Sequence, residues 1–229
     1  MKNRRATKTD SLAALRNAGL NFSVVVDVGV QDGTPELLQS IPNAHHYLFE
    51  PVTDYNAKIR ANYSNTRYSL VNLAVSSETS TAYLGRKGFE GAGEYSHAGI
   101  VARENEPGKG AILVSATTLD DFFSAKDVPA PCLLKVDVDG HEFEVLAGID
   151  RTRDLFDCVI IECTLPRLLT MMGSLVEKGF FLWDVVDFCY YRSTLAQFDL
   201  VFLHQRHAMN AALLPLKLGG EFIWSDWQS

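Results

Sequence analysis

Between Phe22 and Pro35 the chain passes from a mainly apolar run into a glycine-marked turn and then into a helix start. Phe22 to Val28 is rich in valine, and its length suits a strand rather than a helix. A strand apolar on both faces is expected at the centre of a parallel sheet, covered on each side by helices. The turn that follows is Asp27-Val28-Gly29-Val30-Gln31-Asp32-Gly33. Glycines at 29 and 33 let a backbone turn tightly and approach a neighbour closely. Thr34-Pro35-Glu36 then reads as an N-cap, a proline at the first helical position and an acid at the positive helix end. Strand, tight turn and helix together predict one half of a βαβ unit. Open sheets built from such units take ligands at the carboxyl ends of their strands.

The alternation continues. Ser11 to Gly19 reads as a short amphipathic helix and His46 to Phe49 as a second strand stopped at Pro51. Tyr55, Ile59 and Tyr63 keep one helix face. Tyr68 to Val75 and Ala82 to Leu84 are candidate strands. The stretch 85–110 is rich in Gly and charge, shows no period, and reads as an inserted loop over an acceptor, with Tyr95, Ser96 or His97 facing the substrate. Ala111 to Ser115 is another candidate strand, and Thr117-Thr118-Leu119-Asp120-Asp121 starts a helix. Cys132 to Val138 and Asp157 to Cys163 are buried strands, with a helix through Phe143 and Leu146 between them. Phe180 to Val186 and Phe198 to Leu203 form a closing antiparallel pair around Tyr190-Tyr191-Arg192. The order predicts one doubly wound α/β domain over residues 1–229. Residues 1–20 are its N-terminal helix and tail, and 204–229 a C-terminal tail.

Composition narrows the function classes. Twenty-eight acids against 21 bases give a formal net charge of -7, which disfavours nucleic acid as a partner. Cys132, Cys158, Cys163 and Cys189 show no CxxC spacing, so reduced thiols are expected rather than a zinc site. No apolar run reaches membrane-spanning length and no apolar segment follows the basic start, so a cytoplasmic protein without a membrane span is expected.

Three groups of residues carry chemistry. In the glycine turn, a dinucleotide fingerprint needs glycine where this chain has Asp27. An acid there repels a pyrophosphate and suits a cationic ligand such as S-adenosylmethionine, which has a sulfonium and an ammonium and no phosphate. A simple tight turn is the alternative. Glu50, after the second strand, can accept hydrogen bonds from both hydroxyls of a ribose, or cap the helix after Pro51. In Leu134-Lys135-Val136-Asp137-Val138-Asp139-Gly140-His141-Glu142, Asp137 ends a buried strand, where a carboxylate without a partner is expensive. Asp139 reads equally as a helix N-cap and Glu142 as a first-turn acid. His141 can serve as general base. Glu162 ends the next strand and should face the same crevice.

In this order, Asp27-Val28-Gly29 with Gly33, Phe49-Glu50-Pro51, Asn72-Leu73-Ala74-Val75-Ser76, Thr118-Leu119-Asp120-Asp121, Lys135 to Glu142 with Val145-Leu146-Ala147-Gly148, Ile161-Glu162 and Asp199-Leu200-Val201-Phe202 resemble the FkbM family of S-adenosylmethionine-dependent methyltransferases. The resemblance implies a Rossmann-like class I methyltransferase sheet, mostly parallel with a reversed last strand. It implies O-methylation of a hydroxyl on a sugar, glycan or natural product. It places Asp27, Gly29 and Gly33 at the methionine end, Glu50 on the ribose, Asn72 to Val75 (with Ala74) beside the adenine, and Asp137 at the reacting centre. Asp137, His141 and Glu162 are then the catalytic candidates, and a divalent metal on Asp137 and Glu162 is a second way to acidify the hydroxyl. Two departures stand out: Val30-Gln31 where many members have Ala-Asn, and Asp139 where members usually have Glu. A nicotinamide-dependent oxidoreductase and a non-catalytic adenosylmethionine-binding protein are the alternatives.

Overall fold

The computed structural model describes residues 4–86, 98–101, 111–210 and 212–213, with the backbone alone at Arg86 and 98–101. In chain order the elements are α1 (Lys8–Asn17), β1 (Val24–Val28), α2 (Pro35–Ser40), β2 (His45–Phe49), α3 (Asn56–Asn62), β3 (Arg67–Val71), β4 (Ala74–Val75), β5 (Ser80–Arg86), β6 (Ala98–Val101), β7 (Ile112–Thr117), α4 (Leu119–Phe122), β8 (Cys132–Val136), α5 (Glu142–Ala147), β9 (Phe156–Thr164), α6 (Leu168–Glu177), β10 (Phe180–Tyr191) and β11 (Thr194–His204).

Seven strands form the main sheet in the order β10-β11-β9-β8-β1-β2-β3. β1 pairs in parallel with β2 and β8, β2 with β3, and β8 with β9. β11 alone runs against its neighbours β9 and β10. Among the described residues the last strand in sequence is thus the reversed one, and it lies inside the edge rather than at it. This is the doubly wound, Rossmann-like sheet, mostly parallel with a reversed last strand, expected from the sequence.

Side-chain alternation sorts the strands into two cores. Val24, Val26, Val28, Leu134 and Val136 pack on Val145 and Leu146 of α5 and on Met171 and Leu175 of α6. Val25, Leu133, Ile160 and Val201 pack on Leu12 and Leu15 of α1 and on Leu37 of α2. Each such fully buried aliphatic side chain contributes roughly 1.5–3 kcal/mol, which explains why the strands read as continuous apolar runs.

Three features depart from the sequence expectation. The expected strand Tyr68 to Val75 breaks at Asn72, because Asn72 Nδ2 donates to the Glu50 carbonyl (2.8 Å) and turns the chain out of the main sheet. Its second part, β4, joins β7, β5 and β6 in a separate four-stranded sheet. The stretch 85–110 is not wholly a loop: β5 runs to Arg86, and β6 returns along it through Tyr83↔Val101 and Arg86↔Ala98. The expected acceptor lid with Tyr95, Ser96 and His97 lies outside the described residues, as does the tail beyond 213. The helix α6, with Met171 and Leu175 on its buried side, was not expected from the sequence. Among the described residues no helix is long and apolar enough to cross a membrane.

Candidate active site

The chain moves from β1 outward to β2 and β3, then returns to place β8 on the other side of β1. That reversal of direction opens a crevice at the carboxyl ends of β1 and β8, the usual ligand position in such sheets. The strand ends are tied together by backbone. Gly29 N donates to the Phe49 carbonyl (3.1 Å), and Asp137 N donates to the Val28 carbonyl (3.0 Å). Gly29 has φ +84°, and a Cβ there would lie 1.8 Å from the Asp137 carbonyl oxygen. The glycine is required by the neighbouring chain segment.

A cleft of about 580 Å³, counted to its open mouth, lies above these ends. Its floor and walls are Val28, Phe49, Val75, Leu84 and Val138, with Gln31, Glu50, Tyr55, Asp137, Asp139 and His141 supplying polar groups. An apolar slot with a few convergent polar groups is the ordinary make-up of a small-molecule site. Two of its residues, Gln31 and Asp139, hold left-handed backbone (φ 52° and 51°) without being glycine. Such strain concentrates at functional sites. Asp139 does not cap α5, contrary to the alternative read from sequence; His141 occupies the cap position.

Glu50 is buried on the cleft wall. Its Oε2 accepts from Gln31 N (2.7 Å) and its Oε1 from Val52 N (2.9 Å). Burial pushes its pKa up from 4.5 to about 7, against the opposing pull of those two N–H groups. Each carboxylate oxygen retains a lone pair for a further donor. Ala74 and Val75 line the cleft beside it. Asn72 does not line it; it braces the turn through Asn56 and the Glu50 carbonyl.

Asp27 occupies a position the sequence reading did not foresee. It is fully buried beneath the glycine turn rather than on the cleft wall. Its Oδ1 lies 3.2 Å from Lys135 Nζ, its register partner on β8, and its Oδ2 accepts from Thr34 Oγ1 (2.6 Å). Thr34 precedes α2 without a side-chain capping bond, because its hydroxyl is committed to Asp27. Lys135 also donates to the Gly29 carbonyl (3.0 Å) and lies 3.4 Å from Asp137 Oδ2. Burial alone would lower the lysine pKa; Asp27 and Asp137 outweigh it and hold the ammonium charged. The signal for this group was a lysine inside an otherwise apolar strand. It borders a second, polar cleft of about 440 Å³ that also includes Gly29, Gly33, Glu36 and Asp137. Gly29, Gln31 and Asp137 are common to both clefts.

Val136 pairs with Ile161, so Asp137 and Glu162 follow side by side on neighbouring strands. Asp137 is about 39% exposed at its side chain. Glu162 accepts from Gln197 Nε2 (2.7 Å). Burial, then the charges of Asp137, Glu142 and Asp139, push its pKa up from 4.5 to about 8. Glu142 is held by Gly140 N (2.7 Å) and Arg167 (3.3 Å). His141 Nε2 is 3.0 Å from Ser76 Oγ, and burial lowers its pKa, so the ring is neutral at pH 7. Among the described residues no three His, Cys, Asp or Glu side chains are grouped to hold a metal ion.

Glu50 and Asp137 line the cleft, Lys135 and Asp27 sit beneath the glycine turn, and Glu162, expected to face the same crevice, stands beside Asp137 on the next strand without lining either cleft. The chain was compared with known proteins. The hexuronic acid methyltransferase AglP of Haloferax volcanii is 27% identical over 139 residues, 61% of this chain and 55% of its own. The chain therefore spans about half the length of that relative. Among solved structures, the magnesium protoporphyrin IX methyltransferase of Synechocystis PCC 6803 aligns at 15% identity and TM-score 0.47, over 86% of this chain and 76% of its own. An rRNA methylase of Streptococcus thermophilus aligns at 13% identity and TM-score 0.46, over 85% and 93%. The model of the methyltransferase FkbM domain matches residues 27–182, more than half of the sequence, and the chain belongs to that family.

Proposed function

We propose that the chain transfers a methyl group from S-adenosylmethionine to an oxygen of a sugar, a glycan or a related small molecule. The observation that carries this reading is the placement of Glu50. It is a buried carboxylate at the end of β2, on the wall of an apolar cleft whose other wall is the Gly29 turn. In this reading Glu50 accepts the ribose hydroxyls, and Leu73, Ala74 and Val75 flank the adenine. The methionine end lies toward Gly29, Gly33 and the polar cleft, with Asp27 acting from beneath through Lys135. When bound, the cofactor supplies an electrophilic methyl on a sulfonium. The residues 1–20, 85–110 and 204–229 belong to the same methyltransferase unit.

An alcohol is a poor nucleophile and must lose its proton as it attacks. In this reading Asp137 receives that proton; its position on the wall of both clefts supports the assignment. Glu162 follows beside it on the next strand, and burial together with the charge of Asp137 pushes the Glu162 pKa up to about 8. Lys135 holds Asp137 from behind and fixes the Gly29 carbonyl. In-line displacement demands such fixed geometry. The ring of His141, tied to Ser76, serves to shape the cleft wall. A relative that acts on a hexuronic acid favours a saccharide acceptor. Such a sugar offers hydroxyl and carboxylate oxygens; the carboxylates of Asp137 and Asp139 on the cleft wall repel a carboxylate and favour a hydroxyl.

The test is incubation of the purified chain with methyl-labelled S-adenosylmethionine and a panel of hexuronides and neutral glycosides. Base treatment of the product separates the two oxygens. A methyl ether survives it, whereas a methyl ester is cleaved and would overturn the hydroxyl assignment. No transfer to any member of the panel would remove the saccharide reading.

A further inference from the structure

The hairpin of β10 and β11 reaches beyond the sheet. β11 pairs with β9 only from Leu203↔Cys158 to Gln197↔Thr164, while β10 and β11 stay paired as far as Tyr191↔Thr194. Asp199 faces Glu162, so the tip stands five residues beyond the level of the Asp137–Glu162 pair. At the usual strand rise this is roughly 15 Å. β10 runs parallel to β9, so the overhang is on the carboxyl side, the side of the candidate site. Register shifts at Val186/Cys189 and Cys189/Tyr190 bend the ribbon just below the tip.

The tip is unusual in two respects. Its two-residue turn, Arg192-Ser193, has both residues in left-handed backbone (φ 48° and 65°). That turn normally recruits Asn and Gly, which adopt it cheaply. Retaining an arginine there sacrifices local stability, a pattern associated with function. The second respect is the exposed aromatic surface around it: Tyr190 at 63%, Tyr191 at 65% and Phe188 at 44%. The Arg192 guanidinium carbon lies 5.3 Å from the centre of the Tyr191 ring.

We propose that this hairpin tip is the acceptor platform, on which Tyr191 stacks against a pyranose ring and Arg192 pairs with an acidic group of the same saccharide. Charge complementarity supports the occupant. Asp137 and Asp139 line the cleft, so an anionic group on the acceptor is driven away from them and toward the cation at the hairpin tip. A tyrosine ring offers an apolar face and a hydroxyl, which matches the mixed C–H and O–H surface of a sugar. Three exposed aromatic residues are too small a patch for a stable protein interface. The inference rests on the methyltransferase reading, and it adds which end of the acceptor faces which wall.

The experiment titrates the full chain, in the presence of S-adenosylhomocysteine, with 4-nitrophenyl β-D-glucuronide and with the matching neutral glucoside. Three proteins are compared: wild type, Arg192→Gly and Tyr191→Ala. Arg192→Gly should keep or raise the melting temperature, since glycine suits that backbone. It should weaken the glucuronide about tenfold, the loss of one charge-assisted contact, and leave the glucoside within a factor of two. Tyr191→Ala should weaken both probes. Unchanged glucuronide affinity in Arg192→Gly overturns the assignment, as does a wild type that binds neither probe. Binding of S-adenosylhomocysteine is read in the same samples: its loss in the wild type overturns the methyltransferase reading, and its retention confines any failure to the platform.

Discussion

Gly29 and Asp137 meet backbone to backbone: a Cβ on Gly29 would lie 1.8 Å from the Asp137 carbonyl oxygen. This contact welds the end of β1 to the end of β8 and sets the common border of the two clefts. Gly29→Ala should therefore fail at the level of folding. The added methyl must displace the β8 backbone, and the position is already left-handed at φ +84°. Overpacking and the backbone penalty together amount to roughly 3 kcal/mol or more. Urea unfolding of the variant checks this; wild-type stability would show that β8 has room to move.

Lys135 is a buried cation between Asp27 and Asp137. Lys135→Met leaves Asp27 buried without its ion partner and should destabilise the fold by about 3–5 kcal/mol. Adding Asp27→Asn removes the stranded charge and should restore most of that loss. Chemical denaturation of the single and double variants gives the coupling. Purely additive effects would mean that the two residues do not act as a pair.

Much of this arrangement was legible in the sequence, and the remainder was hidden for identifiable reasons. The strand that ends at Val28 and the acids Glu50, Asp137 and Glu162 declare themselves, because a carboxylate directly after an apolar strand marks a sheet edge. Asp27 was legible as an acid but not as a buried one, since its cross-strand partner Lys135 is more than 100 residues away. Asn72 resembled part of a strand because its role is to break one, through a bond to the Glu50 carbonyl. α6 was concealed because its outer face also carries apolar residues, with Leu169 and Val176 exposed, so the buried side at Met171 and Leu175 does not stand out. The second sheet depends on pairing between β5 and β7, a long-range choice that local pattern does not carry.

The pH dependence of stability follows from two acids. Burial raises Glu50 to about 7 and Glu162 to about 8, both above the ordinary 4.5. An acid with a raised folded pKa contributes stability that is full below its unfolded pKa and is lost as pH climbs through the folded value. The ligand-free protein should accordingly lose melting temperature between about pH 5 and pH 8 from these groups. Glu162→Gln should flatten the upper part of that slope. A slope unchanged in the variant would remove Glu162 as its source.

Ionisation of Glu162 sets a second negative charge beside the proton acceptor Asp137, so kcat/KM should rise as pH climbs through about 8. Asp137→Asn should lower the single-turnover rate by about 10²–10⁴-fold with cofactor affinity little changed. Glu162→Gln should shift or abolish the rise near pH 8. A full rate in Asp137→Asn would take Asp137 out of the mechanism and leave His141 and Glu162.

The most direct measurement is calorimetric titration of S-adenosylhomocysteine into the wild type and Glu50→Gln at pH 6 and pH 8. Glu50 as ribose acceptor requires its ionised form, so wild-type affinity should be higher at pH 8 than at pH 6. Glu50→Gln should lose about tenfold or more in affinity at pH 8 and lose the pH dependence with it. Binding that is absent in the wild type, or equal in both proteins at both pH values, would contradict the assignment of this cleft to the cofactor.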